Sequence, residues 1–175
     1  MAQERPNAFD FWGLKTLVGP ELKAGDNAPA FTLVGINAPI SGEQFFGKPL
    51  LISTLPGIDT GVCSAQTRRF NQAAAALGEA ANVLTVSADL PSTQERWCGA
   101  EGVDTMVMGS DHMDMSFGSA YGTYVKELRI ESRAVFVVDK DGIIRYAEYV
   151  PNAGLEPDYD AALAVLRELS DKVTR

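Results

Sequence analysis

Apolar residues recur along the chain with two periods. Between residues 8 and 19, AFDFWGLKTLVG alternates in two short arms about Gly13, the pattern of a β-hairpin. After a turn-rich stretch, Phe31-Thr32-Leu33-Val34 reads as a further short strand. PLLISTL (49–55) is an apolar run bounded by prolines, as a buried strand requires, and VLTVSAD (83–89) is a second strand. RAVFVVDKDGIIRYAEYV (133–150) sets two β-rich arms around an Asp-Gly turn.

Helical signals fill the intervals. Residues 63–80 are rich in the helix formers Ala, Gln and Arg. In PSTQERWCGAEG (91–102), Ser92 and Glu95 form a capping box and Gly99 is placed to end a short helix. In EPDYDAALAVLRELS (156–170), Tyr159, Leu163, Leu166 and Leu169 share one helical face, with Pro157 tolerated in the first turn. Strand–helix–strand followed by hairpin–helix predicts an α/β fold with a central mixed sheet flanked by helices; a thioredoxin-like arrangement fits the pattern, as do other α/β folds. No repeat, low-complexity segment or long linker divides the chain. One domain over residues 1–175 is therefore expected, with the hairpin at about 8–19 as an N-terminal extension.

Composition narrows the function. The net charge of −8 argues against nucleic acid, whose phosphates call for a basic surface. The longest apolar runs, such as AVFVV (134–138), are too short to span a bilayer. MAQERPNAFD lacks the basic flank and apolar core of a secretory leader, so the expected location is cytoplasmic. There a cysteine pair serves metal binding or catalysis more often than a structural disulfide. Cys63, Cys98 and His112 are the only Cys and His residues, and their wide spacing does not suit a closed zinc site. No metal or other cofactor is expected.

LPGIDTGVCSAQTRRF (55–70) carries the candidate chemistry. Thr60 reads as an N-cap, which places Cys63 at the third helical position, near unpaired N–H groups and the positive end of the helix dipole. That setting favours a thiolate. Thr60 can turn its hydroxyl towards the sulfur, and Pro56 stiffens the loop. Arg68 and Arg69 point away from the Cys63 face, where the neighbours are Gln66 and Thr67, and read as a solvated pair. Arg133, just ahead of the most apolar strand, can reach a neighbouring helix N-terminus or remain an ordinary surface arginine. A buried, inert Cys63 stays open at this point.

Cys98 lies 35 positions after Cys63, so the two are not a CxxC dithiol. A structural disulfide between them would stabilise the fold by about 3 to 4 kcal/mol. The functional alternative is that Cys98 condenses with a Cys63 sulfenic acid. Trp97 reads as core. His112, in the polar run SDHMDMS, is the one base a cysteine hydrolase could use, and a solvated loop position suits it better. Met106, Met108, Met113 and Met115 read as adaptable packing or interface.

Pro56, Thr60 and Cys63 stand in the PxxxTxxC arrangement of peroxiredoxins. PGIDTGVCSAQTRRFN, SADLP (87–91), CGAEG (98–102), SRAVFVVDKDG (132–142), EPDYDAAL (156–163) and the N-terminal hairpin resemble the bacterial thiol peroxidases, atypical two-cysteine peroxiredoxins. The resemblance implies a thioredoxin-like homodimer that reduces hydrogen peroxide and organic hydroperoxides, with thioredoxin as reductant. It implies that Cys63 is the peroxidatic cysteine and Cys98 the resolving one, bonding within one chain. It further implies that Thr60 and Arg133 hold the thiolate and polarise the O–O bond while Pro56 shields the site. Disulfide formation would then require the turn at Cys63 and the segment around Cys98 to unwind, eased by Gly57, Gly61 and Gly99. Gly57, Ser53, Thr54, Met113 and Met115 depart from the family's usual residues; the last two lie in a segment expected near the dimer contact. A binding module without a reactive sulfur and a one-cysteine peroxidase are the remaining rivals.

Overall fold

A computed structural model describes residues 2–173. The strands are β1 (Glu4–Asp10), β2 (Leu14–Val18), β3 (Thr32–Leu33), β4 (Ile40–Ser41), β5 (Leu50–Thr54), β6 (Asn82–Ser87), β7 (Val107–Ser110), β8 (Tyr124–Val125), β9 (Ile130–Glu131), β10 (Ala134–Val138) and β11 (Ile144–Tyr149). The helices are α1 (Gly61–Leu77), α2 (Pro91–Glu101), α3 (Ser116–Tyr121) and α4 (Tyr159–Val173). No helix among the described residues is long and apolar enough to cross a membrane.

The central sheet runs β11-β10-β5-β6-β7. β5, β6 and β7 pair in parallel, while β10 pairs antiparallel with both β5 and β11, which makes the sheet mixed as expected. Every residue of β5 and β10 is buried, the continuous apolar signature of strands covered on both sides. Alternation divides them between two cores. Leu50, Ile52, Phe136 and Val138 face Phe117 and Tyr121 of α3. Leu51, Val135 and Val137 face Phe70 of α1 and Leu163 and Leu166 of α4. The mixed α/β sheet read from the pattern, and the thioredoxin-like fold implied by the resemblance, are the fold observed.

Several local expectations are revised. The hairpin starts at Glu4 rather than near residue 8 and carries a bulge between Arg5 and Phe9. It also joins β8 and β9 in a second, four-stranded antiparallel sheet; those two-residue strands are too short to leave a periodic signal. At the hairpin tip Trp12 has φ +51°, a left-handed conformation that costs a bulky L-residue about 1–2 kcal/mol.

The capping box does not form. α2 begins with Pro91 at its first position, whose fixed φ suits a helix start, and the Leu90 carbonyl accepts from the Thr93 and Gln94 N–H groups. Gly99 lies inside α2, and Gly102, at φ +68°, ends it. Pro157 precedes α4 rather than entering its first turn. Asp158 caps that helix by accepting from the Ala161 N–H at 3.0 Å, because a carboxylate satisfies an orphan donor that proline cannot.

Candidate active site

The site forms where β5 stops and α1 starts. Leu55 continues the ladder with one bond from its N–H to the Val86 carbonyl (3.1 Å), and the chain then turns through Pro56 and Gly57. The Ile58 N–H donates to Asp89 Oδ2 (2.9 Å), and Ser87 Oγ donates to the same oxygen (2.7 Å). Gln94 of α2 donates to Ser87 Oγ (2.9 Å). This polar chain ties the loop before α1 to the turn before α2, so the two cysteine-bearing helices start from one frame.

Thr60 is the N-cap, and its carbonyl accepts from the Ser64 N–H at 2.8 Å. Its hydroxyl does not reach the sulfur. Instead it donates to the Gly57 carbonyl at 3.1 Å, which the Thr60 N–H also approaches at 3.3 Å. The tight turn brings that carbonyl under both donors, and the hydroxyl takes the nearer acceptor.

Cys63 is fully buried at the third position of α1. Antiparallel pairing sets Ala134 opposite Thr54, so Arg133 stands opposite Leu55, where the chain leaves the sheet for the site. Arg133 is only 1% exposed. Its Nη2 lies 3.4 Å from Cys63 Sγ and donates to the Ala153 carbonyl at 2.8 Å. Its Nη1 donates to Gln66 Oε1 at 2.8 Å. Of the two openings left for Arg133, the structure shows the inward one.

Gln66 is itself buried. Its Nε2 donates to Ser53 Oγ (2.6 Å) and to the Thr54 carbonyl (3.3 Å). The two polar residues of β5 therefore have partners: Ser53 fixes the amide that fixes Arg133, and Thr54 Oγ1 donates to the Ser132 carbonyl at 2.8 Å. Arg68 and Arg69 lie outside the site. Arg68 pairs with Glu101 at 2.8 Å, and Arg69 lies over the Tyr159 ring, 5.7 Å from its centroid.

A cavity of about 540 Å³ opens above the sulfur, lined by Pro56, Thr60, Cys63, Arg133, the 152–154 loop and the hairpin tip Phe11-Trp12. His112 is not among its lining residues; its carbonyl accepts from Arg129 on the surface. That removes the geometric basis for a Cys–His hydrolase.

Cys98 is a free thiol half-buried on α2. It packs with Leu55, Ile58, Cys63, Trp97 and Val103 in one small apolar cluster, touches Met108, and opens to a different cavity beside Ile36 and Met106. Burial pushes its thiol above the ordinary range, so it stays protonated at neutral pH. Met115 is buried inside the chain and Met113 is exposed, leaving only the latter free to meet a partner.

Three contributors carry little or no signal in the sequence. Gln66 was visible only as a helix-face neighbour, Asp89 acts through a turn, and Ala153 contributes a backbone carbonyl that no side-chain pattern announces.

A thiol at a helix N-terminus, facing a buried guanidinium in an open cavity, is the arrangement of a reactive-cysteine enzyme on a thioredoxin-like scaffold. Residues 23–163 match the Redoxin family. The thiol peroxidase of Bacillus subtilis is 52% identical over 158 residues, 90% of this chain and 94% of that protein. The thiol peroxidase of Streptococcus pneumoniae is 47% identical over 155 residues, 88% of this chain and 94% of that one. Among solved structures, a peroxiredoxin-like protein from Aquifex aeolicus superimposes with a TM-score of 0.81 at 34% identity, covering 90% of this chain and 93% of that one. The chain belongs to the redoxin family, as a peroxiredoxin enzyme of the thiol peroxidase type.

Gln66→Leu should lower stability by roughly 1–3 kcal/mol in urea titrations, because it leaves a buried guanidinium N–H without its acceptor. It should also slow hydroperoxide turnover about tenfold. Gln66→Glu keeps an acceptor for Arg133 but gives it a carboxylate that competes with the sulfur for its charge, and so should not recover the rate. A wild-type rate in Gln66→Leu would show that the amide does not position Arg133.

Proposed function

We propose that Cys63 is the peroxidatic cysteine and Cys98 the resolving one, in a cycle that reduces hydrogen peroxide and organic hydroperoxides. The observation that carries this reading is the 3.4 Å contact between buried Arg133 Nη2 and Cys63 Sγ at the floor of an open cavity. Arg133 favours the thiolate by charge-assisted hydrogen bonding. The thiolate attacks one oxygen of ROOH: an S–O bond forms, the O–O bond breaks, and two electrons pass from sulfur to the peroxide. RO⁻ leaves and takes a proton from water to become ROH, while Cys63 becomes the sulfenic acid. Donors fixed beforehand around the sulfur stabilise charge as it moves along the O–O axis. Thr60 joins them when its hydroxyl rotates away from Gly57, and Pro56 limits water.

The Cys98 sulfur then bonds to Cys63, and hydroxide departs with the thiol proton as water. A dithiol protein, thioredoxin, reduces the disulfide and is itself oxidised. A disulfide needs Cα atoms about 4.4–6.8 Å apart. The two thiols lie on different helices and open to different cavities, which supports unwinding of the first turn of α1 and the end of α2 in each cycle. Gly57, Gly61 and Gly99 lower the cost of that motion. The enzyme is proposed to work in the cytoplasm as a homodimer; exposed Ile36 and Met113 flank one cavity and offer an apolar patch for the second copy.

With thioredoxin and its reductase, Cys63→Ser should abolish peroxide turnover. Cys98→Ser should consume about one hydroperoxide per chain and then stop, as the loss of resolution requires. Sustained turnover by Cys98→Ser would identify a one-cysteine peroxidase. In hydrogen exchange, peptides spanning 57–66 and 94–102 should lose protection in the disulfide form; equal protection in both forms would contradict the unwinding.

A further inference from the structure

At the tip of the β1–β2 hairpin, burial does not account for Trp12. Trp12 is 95% exposed and held at φ +51°, a conformation that glycine adopts without strain. A strained, solvent-facing indole at the rim of a reactive site calls for a functional explanation.

The tip is fixed rather than loose. Phe9 lies in a small core with Leu17 and Val125, against which Phe11 and Ala153 pack. Phe11 stacks on Phe9 with ring centroids 6.2 Å apart, and Trp12 meets Phe11 edge-on at 4.8 Å. The aromatic row therefore runs from that core out to the rim. The Asp10 N–H donates to the Pro151 carbonyl (2.8 Å), and the Ala153 N–H donates to the Asp10 carbonyl (2.9 Å). Ala153 in turn accepts from Arg133, which touches Cys63. A short hydrogen-bonded path thus sets the height of the tip above the sulfur.

The cavity between them, about 540 Å³, far exceeds the needs of hydrogen peroxide, since a water occupies only about 30 Å³. Its size falls in the range that holds ligands with a carbon skeleton. Phe11, Trp12, Pro56, Val62 and Ala153 give it apolar walls. Its charged lining groups are both engaged: Asp10 Oδ1 accepts from the Gly13 N–H at 3.0 Å, and Arg133 is held by Gln66 and Ala153. No lining cation is left over to pair with a carboxylate on the substrate.

We propose that Phe11 and Trp12 are specificity-determining residues, forming a wall that binds the uncharged aryl or branched alkyl body of an organic hydroperoxide while its O–O group reaches Cys63. This inference rests on the peroxidase reading above. The wall acts on substrate binding, so its effect falls on KM for bulky peroxides more than on the bond-breaking step.

The test compares kcat/KM for cumene hydroperoxide and for hydrogen peroxide in the unaltered protein, Trp12→Gly and Trp12→Phe. Glycine suits the backbone at this position, so the variant should fold, with a melting temperature at or above that of the unaltered protein. The cumene-to-hydrogen-peroxide ratio should fall about tenfold in Trp12→Gly, through a raised KM for cumene hydroperoxide, and Trp12→Phe should recover most of it. A ratio that stays within twofold in Trp12→Gly while both peroxides turn over would overturn the inference and leave the peroxidase reading standing. An unchanged ratio with a weakened dimer in sedimentation would assign Trp12 to a second copy of the chain, which also overturns it. Failure of the unaltered protein to reduce either peroxide would remove the peroxidase reading itself.

Discussion

Arg133 is a permanent cation with almost no access to water, and the site is organised around that fact. Moving such a group out of water costs several kcal/mol even after relaxation, unless partners compensate. Its partners are an amide oxygen, a backbone carbonyl and the Cys63 sulfur, and its Nε has none. No Asp or Glu pairs with it among the described residues. The sulfur is therefore the one partner able to supply a compensating negative charge. In the proposed cycle the Cys63 thiolate supplies that charge, so the contact that serves the reaction would also offset the burial of the guanidinium.

The surrounding structure serves to hold that pair together. The β5–β10 register places Arg133 opposite the exit of β5. The polar Ser53, which looks out of place in a buried strand, orients the Gln66 amide on α1, and that amide orients Arg133. Asp89 holds the intervening loop. On the far side, Ala153 joins Arg133 to the second sheet through the hairpin. Two separate sheets thus meet at one side chain.

Much of this was legible in the sequence, and what escaped has physical reasons. The long strands and helices follow from apolar periodicity, and Thr60 and Cys63 follow from the rules of helix starts. The 133–150 hairpin was visible in its Asp-Gly turn. Strands β8 and β9, two residues each, leave no periodic trace. The Ser92–Glu95 box was a valid local signal overridden by Pro91, which starts the helix two residues earlier. The inward course of Arg133 could not be read from its neighbours, because the strand register decides it. Ala153 contributes only a carbonyl, and the Thr60 hydroxyl is diverted by a turn that the chain forms locally.

The central claim is that one chain holds both a sulfur that hydroperoxide oxidises and the thiol that resolves it. Intact mass with a free-thiol count, on fully reduced protein given one equivalent of hydroperoxide, tests this most directly. The account predicts loss of two hydrogens and of both thiols, with the product remaining monomeric on denaturing, non-reducing gels. Gain of one oxygen at Cys63 with Cys98 still free, or no reaction at all, would contradict it.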